Sequence, residues 1–208
     1  MAPRVQPREE PRDEHGDIVV QRPMYPAPGR TAWAVYVFEA PVRLWHAVVA
    51  LCMFVLFITG YLIGSPPSSV AGEASNSFLF GYIRMAHFIA GQLIAVFTLM
   101  RVYWAFVGNE HAREVFTPPF HKASFWKGVW HQQLYYLFVR KDSAKHLGHN
   151  PLETTAMVFT FMIPLYFMIL SGFALYAEGL GMNHWLYSAF GWVLVVFGGS
   201  FVVHTLHH

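Results

Sequence analysis

Leu44 to Ile63 contains no Asp, Glu, Lys or Arg. As a helix rising 1.5 Å per residue, its length of about 20 residues matches the roughly 30 Å hydrocarbon core of a bilayer. Inside lipid a backbone must satisfy its own polar groups, so a helix is the form such a run takes. Gly64-Ser65-Pro66-Pro67 then stops it. Met85 to Met100 begins a second run, which reaches the same length if Arg101 snorkels to the headgroups. Thr154 to Ala177, bracketed by Glu153 and Glu178, is a third, with a kink expected at Pro164. Composition agrees. Only 12% of the 208 residues are charged, against about 25% in soluble domains, which excludes a water-soluble globule. Trp185 to Val203 stays open: it is apolar enough for a fourth span, but Gly191, Gly198, Gly199 and Ser200 weaken it. It reads equally well as an interfacial stretch leading into a helix that begins near His204.

The polar segments orient these runs. Residues 1–32 are proline-rich with mixed charges and lack the apolar stretch of a signal peptide, so they read as a disordered tail. Residues 33–208 are left as one transmembrane domain. The loop from 108 to 153 is basic and carries Trp126, Trp130, Tyr135 and Tyr136, the pattern of an amphipathic helix at the membrane interface. Lys and Arg fill the tail through Arg43 and this loop, and are absent from residues 64–82 and after 177. The positive-inside rule therefore makes the N-terminus and the 108–153 loop cytoplasmic. The net charge of +2 does not form a basic face, so no nucleic-acid partner is expected.

One cysteine, Cys52, is too few for a disulfide, a zinc site or an iron–sulfur cluster. Twelve histidines point instead to a cofactor held by imidazole. His46 starts the first run, near the cytoplasmic face. His87 starts the second, which runs the other way, so the two lie roughly 20 Å apart in depth and cannot share one iron. Each follows an arginine by three residues, Arg43 and Arg84, which puts a guanidinium on the imidazole's helix face, where it suits a haem propionate. Gly60 and Gly91 would let a flat macrocycle approach the backbone, or would serve plain helix packing. His204, His207 and His208 cluster at the end of the chain. Without Cys-x-x-Cys-His, c-type attachment is excluded, and a b-type haem held by two histidines remains. His15, His111, His121, His131 and His146 lie in polar stretches and read as solvated; His149, in the basic loop, is expected to be hydrated too.

Several segments carry a resemblance. Val37 to His46 (VFEAPVRLWH), Thr59 to Pro67 (TGYLIGSPP), Gly72 to Ser75 and Gly81 to Phe88 (GYIRMAHF) resemble the b-type cytochrome subunit of membrane-bound nickel–iron uptake hydrogenases. So do Arg101 to Asn109 (RVYWAFVGN), Gly148 to Pro151 (GHNP) and Ser171 to Tyr176 (SGFALY). The likeness runs from residue 35 to 208. Ala47 departs from it, where the family usually has a second tryptophan.

The resemblance implies an all-α, four-helix transmembrane bundle holding two b haems, with the fourth helix cut short in this chain. Its axial ligands match His46, His87 and His207, and it treats Trp185 to Val203 as an outer segment, so that His87 and His207 meet. The inner haem would then need a histidine beyond His208, leaving at most one tightly bound haem in these 208 residues. The implied partners are the iron–sulfur small subunit and nickel–iron large subunit of a hydrogenase, quinone and the lipid of a bacterial inner membrane. The chain would pass electrons from the periplasmic enzyme to quinone without splitting hydrogen itself, since one cysteine cannot ligate a nickel–iron centre. The alternatives are a cytochrome b subunit of a formate dehydrogenase-type complex, or a non-redox membrane protein whose histidines are structural.

The charge asymmetry makes a direct prediction. A periplasm-active reporter fused after Pro67 should be active, and one fused after Lys145 should be silent. The reverse pattern would exchange the two faces and undo the depth assignment of the histidines.

Overall fold

The computed structural model describes residues 22–23, 33–34, 37–66, 77–143, 146 and 148–208. Most of the tail, including His15, and the motif beginning at Gly72 lie outside these residues. Arg22–Pro23 and Trp33–Ala34 pair as a short antiparallel ribbon; everything else regular is helical. Three helices are long and apolar enough to cross a membrane: α1 (Ala40–Gly64), α2 (Leu79–Val107) and the continuous stretch Pro151–Leu180. All three expected spans are present, each longer than its uncharged run. Between the second and third lie α3 (Glu110–Arg113) and α4 (Ala123–Tyr136), the latter carrying the exposed Trp126 and Trp130 of the expected interfacial helix.

The third span contains α5 (Pro151–Ala156), a π-helical turn (Met157–Met162) and α6 (Ile163–Leu180). Pro164 has no N–H to give to the preceding turn, and its ring crowds the carbonyl four residues back. The wide π turn just before it re-spaces the carbonyls, so the irregularity is a local widening in a helix that carries on.

The ambiguous segment divides at its glycines. The short helices α7 (Trp185–Phe190) and α8 (Trp192–Val196) meet α9 (Ser200–His207) at a bend of 86°. Gly198 and Gly199 make the corner with φ of 90° and 106°, a region open to glycine and strained for other residues. After the turn, α9 runs antiparallel to α6. Ser200 Oγ donates to Glu178 Oε2 at 2.6 Å, and two turns further on His207 reaches Ser171. His207 therefore lies with the end of the bundle that holds His87, the arrangement the family resemblance implied.

Packing separates into two clusters. Trp45, Val49 and Cys52 of α1 meet Ala90 and Ile94 of α2 and Met162 and Leu165 of the third span. Ala174 of α6 packs with Val193, Leu194 and Val203 of the bent segment. Small residues line these contacts, as they do where helices associate in lipid. Phe54 and Phe57 of α1, Leu99 and Phe106 of α2, and Phe201 of α9 turn outward instead. Such an apolar exterior suits hydrocarbon rather than water. The chain is an all-helical membrane protein.

Ala174 is fully buried where α6 supports α9. Ala174→Leu should overpack that contact and cost about 1–3 kcal/mol, seen as a lower thermal midpoint in detergent. An unchanged midpoint would show that α9 does not rest on α6 there.

Candidate functional site

Toward one end of the bundle, two imidazoles from different helices face a shared space. His87 stands on α2 and His207 on α9, with ring centroids 6.4 Å apart and planes at 69°. Each ring is held by a hydroxyl on a third or fourth helix. His87 Nδ1 lies 2.9 Å from Thr59 Oγ1 of α1, and His207 Nδ1 lies 2.8 Å from Ser171 Oγ of α6. Both hydroxyls donate their one proton to the carbonyl a turn earlier, Thr59 to Val55 and Ser171 to Phe167, each at 2.7 Å. A hydroxyl whose proton is so placed accepts from the ring. This puts each ring's hydrogen on Nδ1 and leaves Nε2 with a free lone pair, the state in which imidazole ligates a metal.

The residue after each hydroxyl is a glycine, and each lies against a ring. A methyl group at Gly60 would sit 3.5 Å from His87 Cε1, and one at Gly172 would sit 3.1 Å from His207 Cε1. Gly60 was singled out from the sequence for close approach; Gly172, Thr59 and Ser171 were not. Their signal was present as a repeated pattern, Thr-Gly-Tyr at 59–61 and Ser-Gly-Phe at 171–173. Gly91 faces open space one turn from His87. Arg84 is exposed, its guanidinium 5.8 Å from the centre of the Phe88 ring.

His46 is at the opposite end of α1. It is exposed and lines a groove with Trp45, Val49, Ala50, Met53 and Phe161. Among the described residues it touches no other histidine. Arg43, a turn earlier, is also exposed. The expected snorkelling of Arg101 does not occur. Its side chain is 4% exposed and is sandwiched by aromatic rings, with Cζ 5.7 Å from Trp45 and 4.9 Å from Phe116. The helix continues for a further turn and a half past Arg101, which keeps the guanidinium within the packed bundle.

The family model described as prokaryotic cytochrome b561 matches residues 37–208. The chain belongs to this family. Among its relatives is the "Probable Ni/Fe-hydrogenase B-type cytochrome subunit" of Azotobacter vinelandii, 54% identical over 179 residues, which cover 86% of this chain and 75% of the relative. A protein of the same description from Rhizobium leguminosarum bv. viciae is 50% identical over 196 residues, 94% of this chain and 78% of the relative. The "Probable Ni/Fe-hydrogenase 1 B-type cytochrome subunit" of Escherichia coli (strain K12) is 47% identical over 176 residues, 83% and 74% of the two chains. The family resemblance noted in the sequence therefore holds, and b-type cytochromes carry haem b.

Two histidines of the 108–153 loop depart from expectation. His111 and His149, read as solvated, converge on Glu114, and both side chains are only 15% exposed. Glu114 accepts from the His111 ring through one carboxylate oxygen. Its other oxygen accepts from His149 Nδ1 at 3.1 Å and from the His149 backbone N–H at 3.2 Å. Gly148, with φ of 81°, delivers His149 to this carboxylate, and a side chain at 148 would run into it. Burial alone would raise the Glu114 pKa, but the hydrogen bonds from His149 and His111 outweigh it and hold the carboxyl below its ordinary value. A depressed carboxylate contributes stability that is fully present above its unfolded value and is lost as pH falls through the folded one. Protection of the His149 amide from hydrogen exchange should therefore fall on acidification below the ordinary carboxylate range. Glu114→Ala should remove that protection at neutral pH, at a local cost of about 1–3 kcal/mol. Equal protection in the variant would show that the carboxylate does not hold the loop.

Proposed function

We propose that this chain is the membrane-anchoring cytochrome b subunit of a nickel–iron hydrogenase, relaying electrons from the periplasmic enzyme to quinone through two b haems. The observation that carries the reading is the paired imidazoles of His87 and His207. Their ring centroids lie 6.4 Å apart, and the two residues would hold a haem iron through Nε2. Both rings keep Nε2 free, so the donor set fits a low-spin b haem. His46, about 20 Å along α1 from Thr59, is the ligand this reading gives to a second haem near the cytoplasmic face.

A haem supplies reversible one-electron chemistry at its iron when bound. The chain's own residues do the rest. Thr59 and Ser171 fix the tautomer and rotation of the two ligands, and Gly60 and Gly172 let the rings lie close to the helices. Arg84 stands one turn from His87, at the end where a propionate would meet water. The membrane thickness separates the two histidine levels, which suits a conduit from an outer donor to an inner acceptor. The orientation follows the Lys and Arg distribution: the N-terminus in the cytoplasm, the membrane the inner membrane of a bacterium, and the hydrogenase small and large subunits outside. The relatives' descriptions support the partnership.

His87→Ala and His207→Ala should each remove a low-spin b-type signal from the reduced-minus-oxidised spectrum and lower hydrogen-dependent quinone reduction at least tenfold. Hydrogen oxidation with an artificial dye on the periplasmic side should persist, because that chemistry belongs to the partner subunits. An intact spectrum in both variants would falsify the ligand pair.

A further inference from the structure

We propose that Trp45, Thr98 and Arg101 form a carboxylate-receiving site buried beside His46, and that its occupant is a propionate of the haem held there. The proposal rests on the reading of His46 as a haem ligand. Its starting point is three polar side chains that are buried and unpartnered: Trp45 Nε1, Thr98 Oγ1 and Arg101 Nη1. Trp45 is 5% exposed, Thr98 3% and Arg101 4%. An unsatisfied buried polar group is destabilising, and a buried uncompensated charge more so. Among the described residues no carboxylate pairs with Arg101. The faces of Trp45 and Phe116 support the cation but leave Nη1 without an acceptor.

Thr98 is unusual in this chain. Thr59, Thr155, Thr160 and Ser171 all place their hydroxyl proton on the carbonyl a turn earlier. Thr98 does not, and it shares a face of α2 with Arg101 at a spacing of one turn. A cation, an indole N–H and a hydroxyl together call for an anion with more than one acceptor. A carboxylate offers two oxygens and about four lone-pair sites, and its bonds to a guanidinium are among the strong ones. A neutral quinone carbonyl would leave the buried charge uncompensated.

Position identifies the source of the carboxylate. Thr59 of α1 meets His87 of α2. The same interval along each antiparallel helix, about 21 Å, leads from Thr59 to Trp45 and from His87 to Arg101, which meet in turn. The buried cation thus lies at the depth of His46, one residue from Trp45. Trp45 belongs both to the donor cluster and to the groove that His46 lines. Arg43, the arginine nominated by spacing, is exposed, whereas Arg101 is buried.

The test uses the native protein carrying His87→Ala, so that only the inner haem is followed. The haem-depleted protein is titrated optically with iron protoporphyrin IX and with its dimethyl ester, whose propionates cannot ionise. The free acid should bind at least tenfold more tightly. Arg101→Gln should bring that ratio close to one, Arg101→Lys should keep part of it, and Arg43→Gln should leave it unchanged. A ratio near one in the parent protein, or a full ratio in Arg101→Gln, overturns the proposal, as does a ratio abolished by Arg43→Gln. Should Arg101→Gln fail to fold, Trp45→Phe and Thr98→Val each delete one donor at little change in volume. Both must lower the ratio for the proposal to stand. Failure of the underlying reading looks different: adding His46→Ala then leaves the low-spin signal intact, and the proposal falls with it.

Discussion

Inside a bilayer no water is available to complete a hydrogen bond, and this scarcity determines where almost every polar atom of the bundle goes. Backbone groups are satisfied within helices. The few polar side chains at depth must find partners among themselves, and Thr59 and Ser171 each find two. One hydroxyl proton goes to a backbone carbonyl and one lone pair goes to an imidazole. In water such bonds would compete with solvent and hold a ring weakly. Between packed helices the competing partner is missing, so a single hydroxyl sets both the tautomer and the orientation of a histidine.

The two ends of the bundle use that scarcity differently. Around His87 and His207, the ring Nδ1 atoms and their hydroxyls satisfy one another, and only the Nε2 lone pairs are left over. Near His46 the unpartnered atoms are an indole N–H, a hydroxyl and one guanidinium nitrogen, all buried. On the proposed reading, the first end would hold a haem iron and the second a carboxylate of the other haem. The 108–153 loop completes the contrast. Glu114 there gathers two imidazoles and a backbone N–H onto one carboxylate.

What the sequence disclosed tracks what one dimension can encode. Span positions were legible because an uncharged run of membrane length has few other fates, and His46 and His87 stood out as ionisable groups at span ends, whereas His207 was picked from its cluster by the family resemblance alone. Segment 185–203 was ambiguous because hydropathy is blind to direction. Its two glycines at 198 and 199 were visible, but the right-angled turn they make depends on packing against α6. Arg101 misled for a related reason: snorkelling is the fate of an arginine at a helix end, and the helix runs on past it under the rings of Trp45 and Phe116. His111 and His149 looked solvated in a basic stretch because the carboxylate that gathers them is 35 residues from one of them. Thr59 and Ser171 were passed over as ordinary small residues, though each precedes a glycine and an aromatic residue in the same order.

The repeated hydroxyl–glycine pair has a consequence for speed. An electron-transfer centre works fastest when its surroundings rearrange least between oxidation states. Rotating either imidazole would break the ring-to-hydroxyl bond, and the glycine beside each ring lets it lie close to the helix, so each ring is held from the side. The clamps come from two different helices, and neither depends on mobile solvent. A centre gripped in this way would have a small reorganisation energy, and its rate would be governed mainly by the distance to the next carrier.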